Sequence, residues 1–89
     1  MTMENAAVII DVRQFAPVMK HHIIFSVWEA LSHGTTMYLI NDHDPKPLYY
    51  QLSAEHPGTF EWNYIENGPG IWRIEVVKSL EGQQDNVAK

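Results

Sequence analysis

A change of hydrophobic pattern in the middle of the chain constrains the fold most strongly. An apolar run typical of a strand, residues 37–40, is followed by the polar segment 41–47 (NDHDPKP) and then by an amphipathic run, residues 48–55. Asp44 is a favourable N-cap residue, and Pro45 suits the first helical position because a proline has no amide hydrogen to donate. The pattern therefore predicts a strand-to-helix junction with Asp44 as the helix cap.

The same two periodicities, alternation for strands and three- to four-residue spacing for helices, recur along the rest of the chain. They predict the order β-α-β-α-β-β, with strands at 7–13, 35–40, 60–64 and 71–78 and helices at 17–31 and 45–56. Two helices cannot cover both faces of a four-stranded sheet, so we expect a two-layer α/β (α+β) sandwich on a mixed sheet. Residues 1–79 are predicted to form one domain, and residues 80–89 a polar, disordered tail.

The first strand and the uncovered sheet face carry apolar side chains. Residues 7–10 form a continuous apolar run, which favours a central position in the sheet. Ile9, Tyr38 and Ile40 are candidates for apolar area on the uncovered face. An exposed apolar face of this kind favours a homodimer.

Composition excludes several classes of function. The net charge is -5, and the 6 basic residues are scattered, which argues against nucleic acid and anionic membranes as partners. The absence of cysteine removes thiol nucleophiles and zinc–thiolate sites. No export signal, membrane-spanning run or glycine-rich phosphate loop is visible, so we expect a cytoplasmic protein with no evident cofactor.

Polar side chains gather at the predicted junction. Asn41, Asp42 and His43 follow the second strand, and Arg13 ends the first strand, where open α/β structures most often bind ligands. Gln51 lies in the first turns of the following helix and could point back to them. These five residues are the predicted ligand-binding set.

Each of these residues has more than one interpretation. His43 between two aspartates could act as an acid, a base or a metal ligand, or it could be exposed on a turn shaped by its neighbours. Arg13 could pair with Asp42 or Asp44, or bind an anion. Adjacent His21 and His22 would diverge by about 100° on a helix and could not chelate one ion together. No preformed metal cage is therefore predicted, and His43, with Asp42 or Asp44, is the candidate for a weaker metal site.

The overall pattern resembles small sulfur-carrier proteins of the TusA/SirA type. The positions of that family's motifs are occupied here by Asp11, segment 16–19 (APVM), segment 33–35 (HGT) and Asp44-Pro45. Ala16 stands where the persulfide-bearing cysteine would be. The resemblance thus implies the sulfur-carrier fold but excludes its sulfur transfer, unless another chain donates the thiol.

A second resemblance is to the bacterial domain-of-unknown-function 2249 family. It rests on segment 11–13 (DVR), Gly34, segment 41–48, the Tyr50-Gln51 pair and the aromatic hairpin 62–72. Members of that family occur fused to, or beside, hemerythrin-like domains. The resemblance implies a hemerythrin-like or redox-related protein partner and a link to metal, oxygen or nitrogen-oxide physiology.

Three hypotheses of function follow. The favoured one is a non-catalytic binding or adaptor module whose junction contacts a small anion or a partner protein. The second is a metal- or haem-linked accessory protein that uses His43. The third is a small enzyme with His43 as general base and Asp42 as its orienting group, and the lack of a nucleophile or cofactor loop makes an enzyme the least favoured.

Overall fold

A computed structural model describes residues 7–79, and the predicted tail 80–89 lies outside this range. The predicted order of elements is confirmed. The elements are β1 (Ala7–Asp11), α1 (Pro17–Ala30), β2 (Thr36–Asn41), α2 (Lys46–Glu55), β3 (Phe60–Asn67) and β4 (Trp72–Lys78). No helix among these elements is long and apolar enough to cross a membrane.

The four strands form one mixed sheet in the order β1-β2-β4-β3. β1 and β2 are parallel, whereas β4 runs antiparallel to both of its neighbours. The predicted central position of the first strand is therefore wrong, because among the four described strands β1 lies at an edge, next to β2. Ile9 of this edge strand is 70% exposed.

The core lies between the helices and one face of the sheet. Strand register places Met37 beside Val76 and Leu39 beside Ile74, and all four side chains are fully buried. The helices complete this core with the buried side chains of Ile24, Trp28, Leu48 and Leu52. Each such side chain contributes about 1.5–3 kcal/mol by leaving water, so this cluster holds the two layers together.

The register also fixes the facing of the other side chains. Ile9 pairs with Tyr38, and Asp11 pairs with Ile40, so Ile9, Tyr38 and Ile40 share the face opposite the core. Tyr38 donates a hydrogen bond to Glu75 on that face (3.2 Å). The face is thus a mixture of apolar and charged groups, and the homodimer stays a prediction.

Helix α1 has one buried side. Its buried residues Lys20, Ile24 and Trp28 follow each other at four-residue spacing, which places them on one side of the helix. The helix ends at Ala30, earlier than the sequence pattern predicts. Gly34 lies in the connection to β2, where its φ is 90° and its amide donates to the carbonyl of Lys78 (2.6 Å). A positive φ of this size favours glycine at that position.

Candidate functional site

A small recess of about 100 Å³ lies between the first turns of the two helices and the end of β2. Because β2 ends at Asn41 and α2 begins at Lys46, the segment between them forms one side of the recess. Its apolar lining comes from Pro17, Ile24, Pro45, Pro47 and Leu48. Its polar lining comes from Lys20, His21, Asn41 and His43. The recess therefore combines an apolar wall with a few polar groups, as ligand sites usually do.

Lys20 is the residue that sequence reasoning missed. Its side chain is 10% exposed, and its ammonium donates to Asn41 Oδ1 (2.8 Å) and to Asp42 Oδ1 (3.3 Å). A signal for it existed, because Lys20 continues the four-residue spacing of Ile24 and Trp28 on the buried side of α1. A lysine on the apolar stripe of a helix must find polar partners inside the fold.

Asp42 and His43 form an adjacent pair at the mouth of the recess. His43 Nδ1 and Asp42 Oδ1 are 2.8 Å apart. An ionised carboxylate only accepts hydrogen bonds, so Nδ1–H donates and Nε2 is left for other partners. The hydrogen bond from His43, and then the one from Lys20, hold the pKa of Asp42 below its usual value.

Arg13 has a different partner from those predicted. Its guanidinium pairs in a bidentate manner with Asp11, at 3.0 Å from Nε and 2.7 Å from the terminal nitrogen. The Arg13 hydrogen bonds lower the pKa of Asp11 to about 2. Arg13 does not line the recess, and the predicted pairing with Asp42 or Asp44 is wrong because the carboxylate two residues earlier is engaged instead.

Gln51 also lies away from the recess. Its amide donates to Glu55 Oε2, one helical turn further along α2 (3.0 Å). It borders a separate groove between the two helices, together with His22 and Glu55. The predicted ligand set is thus divided: Asn41, Asp42 and His43 lie together, whereas Arg13 and Gln51 have partners of their own.

The predicted helix cap at Asp44 is wrong. Helix α2 begins at Lys46, the N-cap residue is Pro45, and no side-chain hydrogen bond caps the helix. A cap at Asp44 would direct its carboxylate to the second and third amides, and the third would be that of Pro47, which has none. Asp44 Oδ1 instead accepts a hydrogen bond from Tyr64 of β3 (2.8 Å).

The histidines do not form a metal centre in the described part of the chain. Among residues 7–79 no three His, Cys, Asp or Glu side chains come close enough to hold an ion. His21 Nε2 is buried without a hydrogen-bond partner, and its ring stacks on Phe25 with 5.5 Å between ring centres. The predicted metal ligand His43 is thus left with one carboxylate neighbour, Asp42.

Comparison with known proteins yields one match. A family model described as an uncharacterized conserved protein, DUF2249, matches residues 9–78. No curated protein matches the chain. No solved structure matches it either, so the resemblance to the sulfur-carrier fold stays a prediction.

Proposed function

Since the chain belongs to the DUF2249 family of uncharacterised conserved proteins, we propose a function from the geometry of its recess: a binding module for a small anion. The two groups that would meet the anion are the ammonium of Lys20 and the imidazole of His43. Both line the recess, and both are held in place by Asp42.

The observation that carries this proposal is the unequal burial of Lys20 and its counter-ion. The side chain of Lys20 is 10% exposed, whereas that of Asp42 is 51% exposed. Water screens the exposed carboxylate more strongly than the buried ammonium, so the interior of the recess keeps a positive potential. An anion that enters the recess would compensate a charge that Asp42 compensates only in part.

The hydrogen-bond capacity of Lys20 and His43 supports the same proposal. An ammonium has three N–H groups, and within residues 7–79 two of those of Lys20 have acceptors, Asn41 and Asp42. His43 offers Nε2 as a second donor when the ring carries a proton there. Hydrogen bonds from charged donors to an anionic acceptor are among the stronger ones in proteins.

Titration calorimetry with acetate, chloride and inorganic phosphate tests the proposal. We expect at least one of these anions to bind, and Lys20→Met to weaken that binding by about tenfold or more, because the buried charge and its free donor are lost. Lys46→Met is the matched control, since it removes an exposed lysine that does not line the recess.

A second variant keeps the test meaningful if Lys20→Met folds poorly. His43→Gln alters a side chain that is 63% exposed, so the fold should tolerate it. We expect it to weaken anion binding as well. Wild-type protein that binds none of the three anions would refute the proposal, as would equal binding by the wild type, Lys20→Met and His43→Gln.

The Asp42–His43 pair favours one second candidate, proton transfer to or from a bound molecule. A carboxylate that holds Nδ1–H orients the ring and leaves Nε2 to act as a base. Hydrolysis of p-nitrophenyl acetate provides a simple assay. A rate above background that falls in both His43→Gln and Asp42→Asn would support this role, and a rate equal to that of free imidazole would exclude it.

The adaptor and metal hypotheses have weaker support. Val18 and Met19, in the first turn of α1 beside Pro17, are 80% and 46% exposed, so apolar area is available to a partner protein near the recess. A hemerythrin-like partner stays a prediction. A metal site would need ligands from another molecule in addition to His43, and metal analysis of untagged protein tests it.

A further inference from the structure

We infer that the anion bound by the recess is a carboxylate on a short apolar body, rather than a phosphate or sulfate. This inference rests on the proposed function and names its ligand class. Three features of the recess lead to it: the missing amide donors, the balance of charge, and the division between polar and apolar lining.

Prolines remove the amide donors that tetrahedral oxyanions normally use. Phosphate and sulfate bind at helix N-termini because several backbone N–H groups point toward them. Here Pro17 is the first residue of α1, Pro45 is the N-cap of α2, and Pro47 is the second residue of α2. All three line the recess and none has an N–H group. Both helices therefore begin close to the recess but offer it few backbone donors.

The charges of the recess suit a single negative charge. Lys20 and Asp42 carry opposite charges, so the group as a whole is neutral with a neutral His43 and carries one positive charge with a protonated His43. In either protonation state of His43, a carboxylate leaves one negative charge fewer beside the apolar walls than a doubly charged phosphate does. An uncompensated charge in such surroundings is unfavourable. The third N–H group of Lys20 and, in a protonated ring, the Nε2–H group of His43 also match the two oxygens of a carboxylate.

The lining is divided into a polar cluster and an apolar wall. Asn41, Lys20, Asp42 and His43 form one continuous hydrogen-bonded cluster. The remaining wall is formed by three prolines, an isoleucine and a leucine, with the ring of His21 beside them. A volume of about 100 Å³ corresponds to roughly three water molecules, or an acid of about four to six heavy atoms. A short aliphatic acid would place its carboxylate on the cluster and its methyl groups on the wall.

Two sources could supply this chemistry: a free short-chain acid, or the C-terminal carboxylate of a peptide that ends in a small apolar residue. Titration calorimetry of the wild-type protein with matched ligands distinguishes them. The free ligands are isobutyrate, its neutral analogue isobutyramide, and inorganic phosphate. The peptide ligands are a tetrapeptide that ends in valine with a free C-terminus and the same peptide with an amidated C-terminus.

We expect isobutyrate or the free-terminus peptide to bind at least about tenfold more tightly than its neutral partner and more tightly than phosphate. Tighter binding of the peptide than of isobutyrate would assign the site to a protein terminus, and the reverse order to a free acid. Phosphate binding as tight as that of the best carboxylate would overturn the inference while leaving anion binding intact. No binding by any anion would overturn both.

A Pro47→Ala variant tests the role of the prolines directly. It restores one amide donor at the second position of α2 and leaves the charges unchanged. We expect it to improve phosphate binding relative to isobutyrate by several-fold. An unchanged ratio of the two affinities, with the variant folded as judged by its circular dichroism, would contradict the argument from missing donors.

Discussion

A lysine ammonium lies near each end of α1, but the two groups donate to different kinds of acceptor. At the C-terminal end, Lys78 donates to the backbone carbonyls of Trp28 (3.0 Å) and Leu31 (2.8 Å), and it lies 5.0 Å from the centre of the Trp28 ring. At the N-terminal end, the ammonium of Lys20 donates to two side chains, those of Asn41 and Asp42. Lys78 thus donates to carbonyls at the end of α1, whereas Lys20 lines the recess.

The helix itself explains why these two positions differ. The last carbonyls of a helix lack partners within it and carry partial negative charge, so a cation there is stabilising. Burial lowers the pKa of Lys78, and the two carbonyls offset that loss of solvation. The first turn carries partial positive charge, so a buried cation such as Lys20 is unfavourable there. A lysine in that position makes more sense as part of a binding site than as a source of stability.

Replacing Lys78 should have the largest effect on stability. Lys78→Met removes a donor from each of two carbonyls at the end of α1, of which that of Trp28 keeps the amide of Leu31, and it removes the contact with the Trp28 ring. We expect the free energy of unfolding to fall by about 2 kcal/mol, with anion binding unchanged in the folded protein. Urea denaturation measures this, and Lys46→Met, an exposed lysine, should stay within about 0.5 kcal/mol of wild type. A loss no greater than that of the control would remove the contrast between the two ends.

Replacing Lys20 and Asn41, near the N-terminal end of α1, should not reduce the free energy of unfolding. The double variant Lys20→Met/Asn41→Leu exchanges a buried charge and its amide acceptor for apolar groups of similar size. We expect it to be as stable as wild type or more stable by about 1 kcal/mol, because such exchanges relieve desolvation. Its anion binding should be lost. Lys20→Met alone should be less stable than the double variant, because buried Asn41 then lacks its donor.

For the double variant, the free energy of unfolding and the anion affinity are informative when they are compared with each other. A large loss of stability would mean that Lys20 supports the fold in the way Lys78 does. Unchanged anion binding would mean that the recess is not the site. Stability retained together with binding lost is the pattern expected when function, and not folding, requires the buried charge.

The fold could be predicted to a large extent because its signals are local. The spacing of apolar residues predicted the order of the elements, which is confirmed, and Leu39 of β2 and Ile74 of β4 are buried as partners. The position of β1 could not be predicted in the same way. An apolar run looks alike in a central and an edge strand, and strand order depends on β4 inserting between β2 and β3, which is a long-range pairing.

The candidate site was predictable in part for the same reason. Asn41, Asp42 and His43 are neighbours in sequence, so the junction that contains them could be located. Arg13 and Gln51 were assigned to the site, yet each has a carboxylate nearer in sequence, at Asp11 and Glu55. Lys20 reaches the junction only through the packing of α1 on β2, so its partners could not be identified from sequence spacing alone.

A smaller effect tests whether both His43 and Lys20 lower the pKa of Asp42. Its pKa is lowered first by His43, at 2.8 Å, and then by Lys20, at 3.3 Å. We expect His43→Gln to raise the pKa of Asp42 toward 3.8 by more than Lys20→Met does. Carbon-13 NMR of the carboxyl group through an acid titration measures both shifts. A larger rise in Lys20→Met would show that the ammonium, and not the imidazole, is the main partner of Asp42.

The smallest expected effect comes from Arg13 and tests whether this residue belongs to the candidate site. Arg13 lowers the pKa of Asp11 from 3.8 to about 2, so the pair contributes stability that is present above about pH 4 and is lost as the pH falls toward 2. In Arg13→Gln this contribution is missing at neutral pH, so the stability of the variant should fall less on acidification, and the two curves should converge near the folded pKa. Both side chains are exposed, so the difference should be small. Urea denaturation across this acid range measures the stability difference, and calorimetry at neutral pH measures anion binding by the same variant. A loss of binding in Arg13→Gln would show that Arg13 belongs to the site. Unchanged binding would confine the site to α1 and the junction that follows β2.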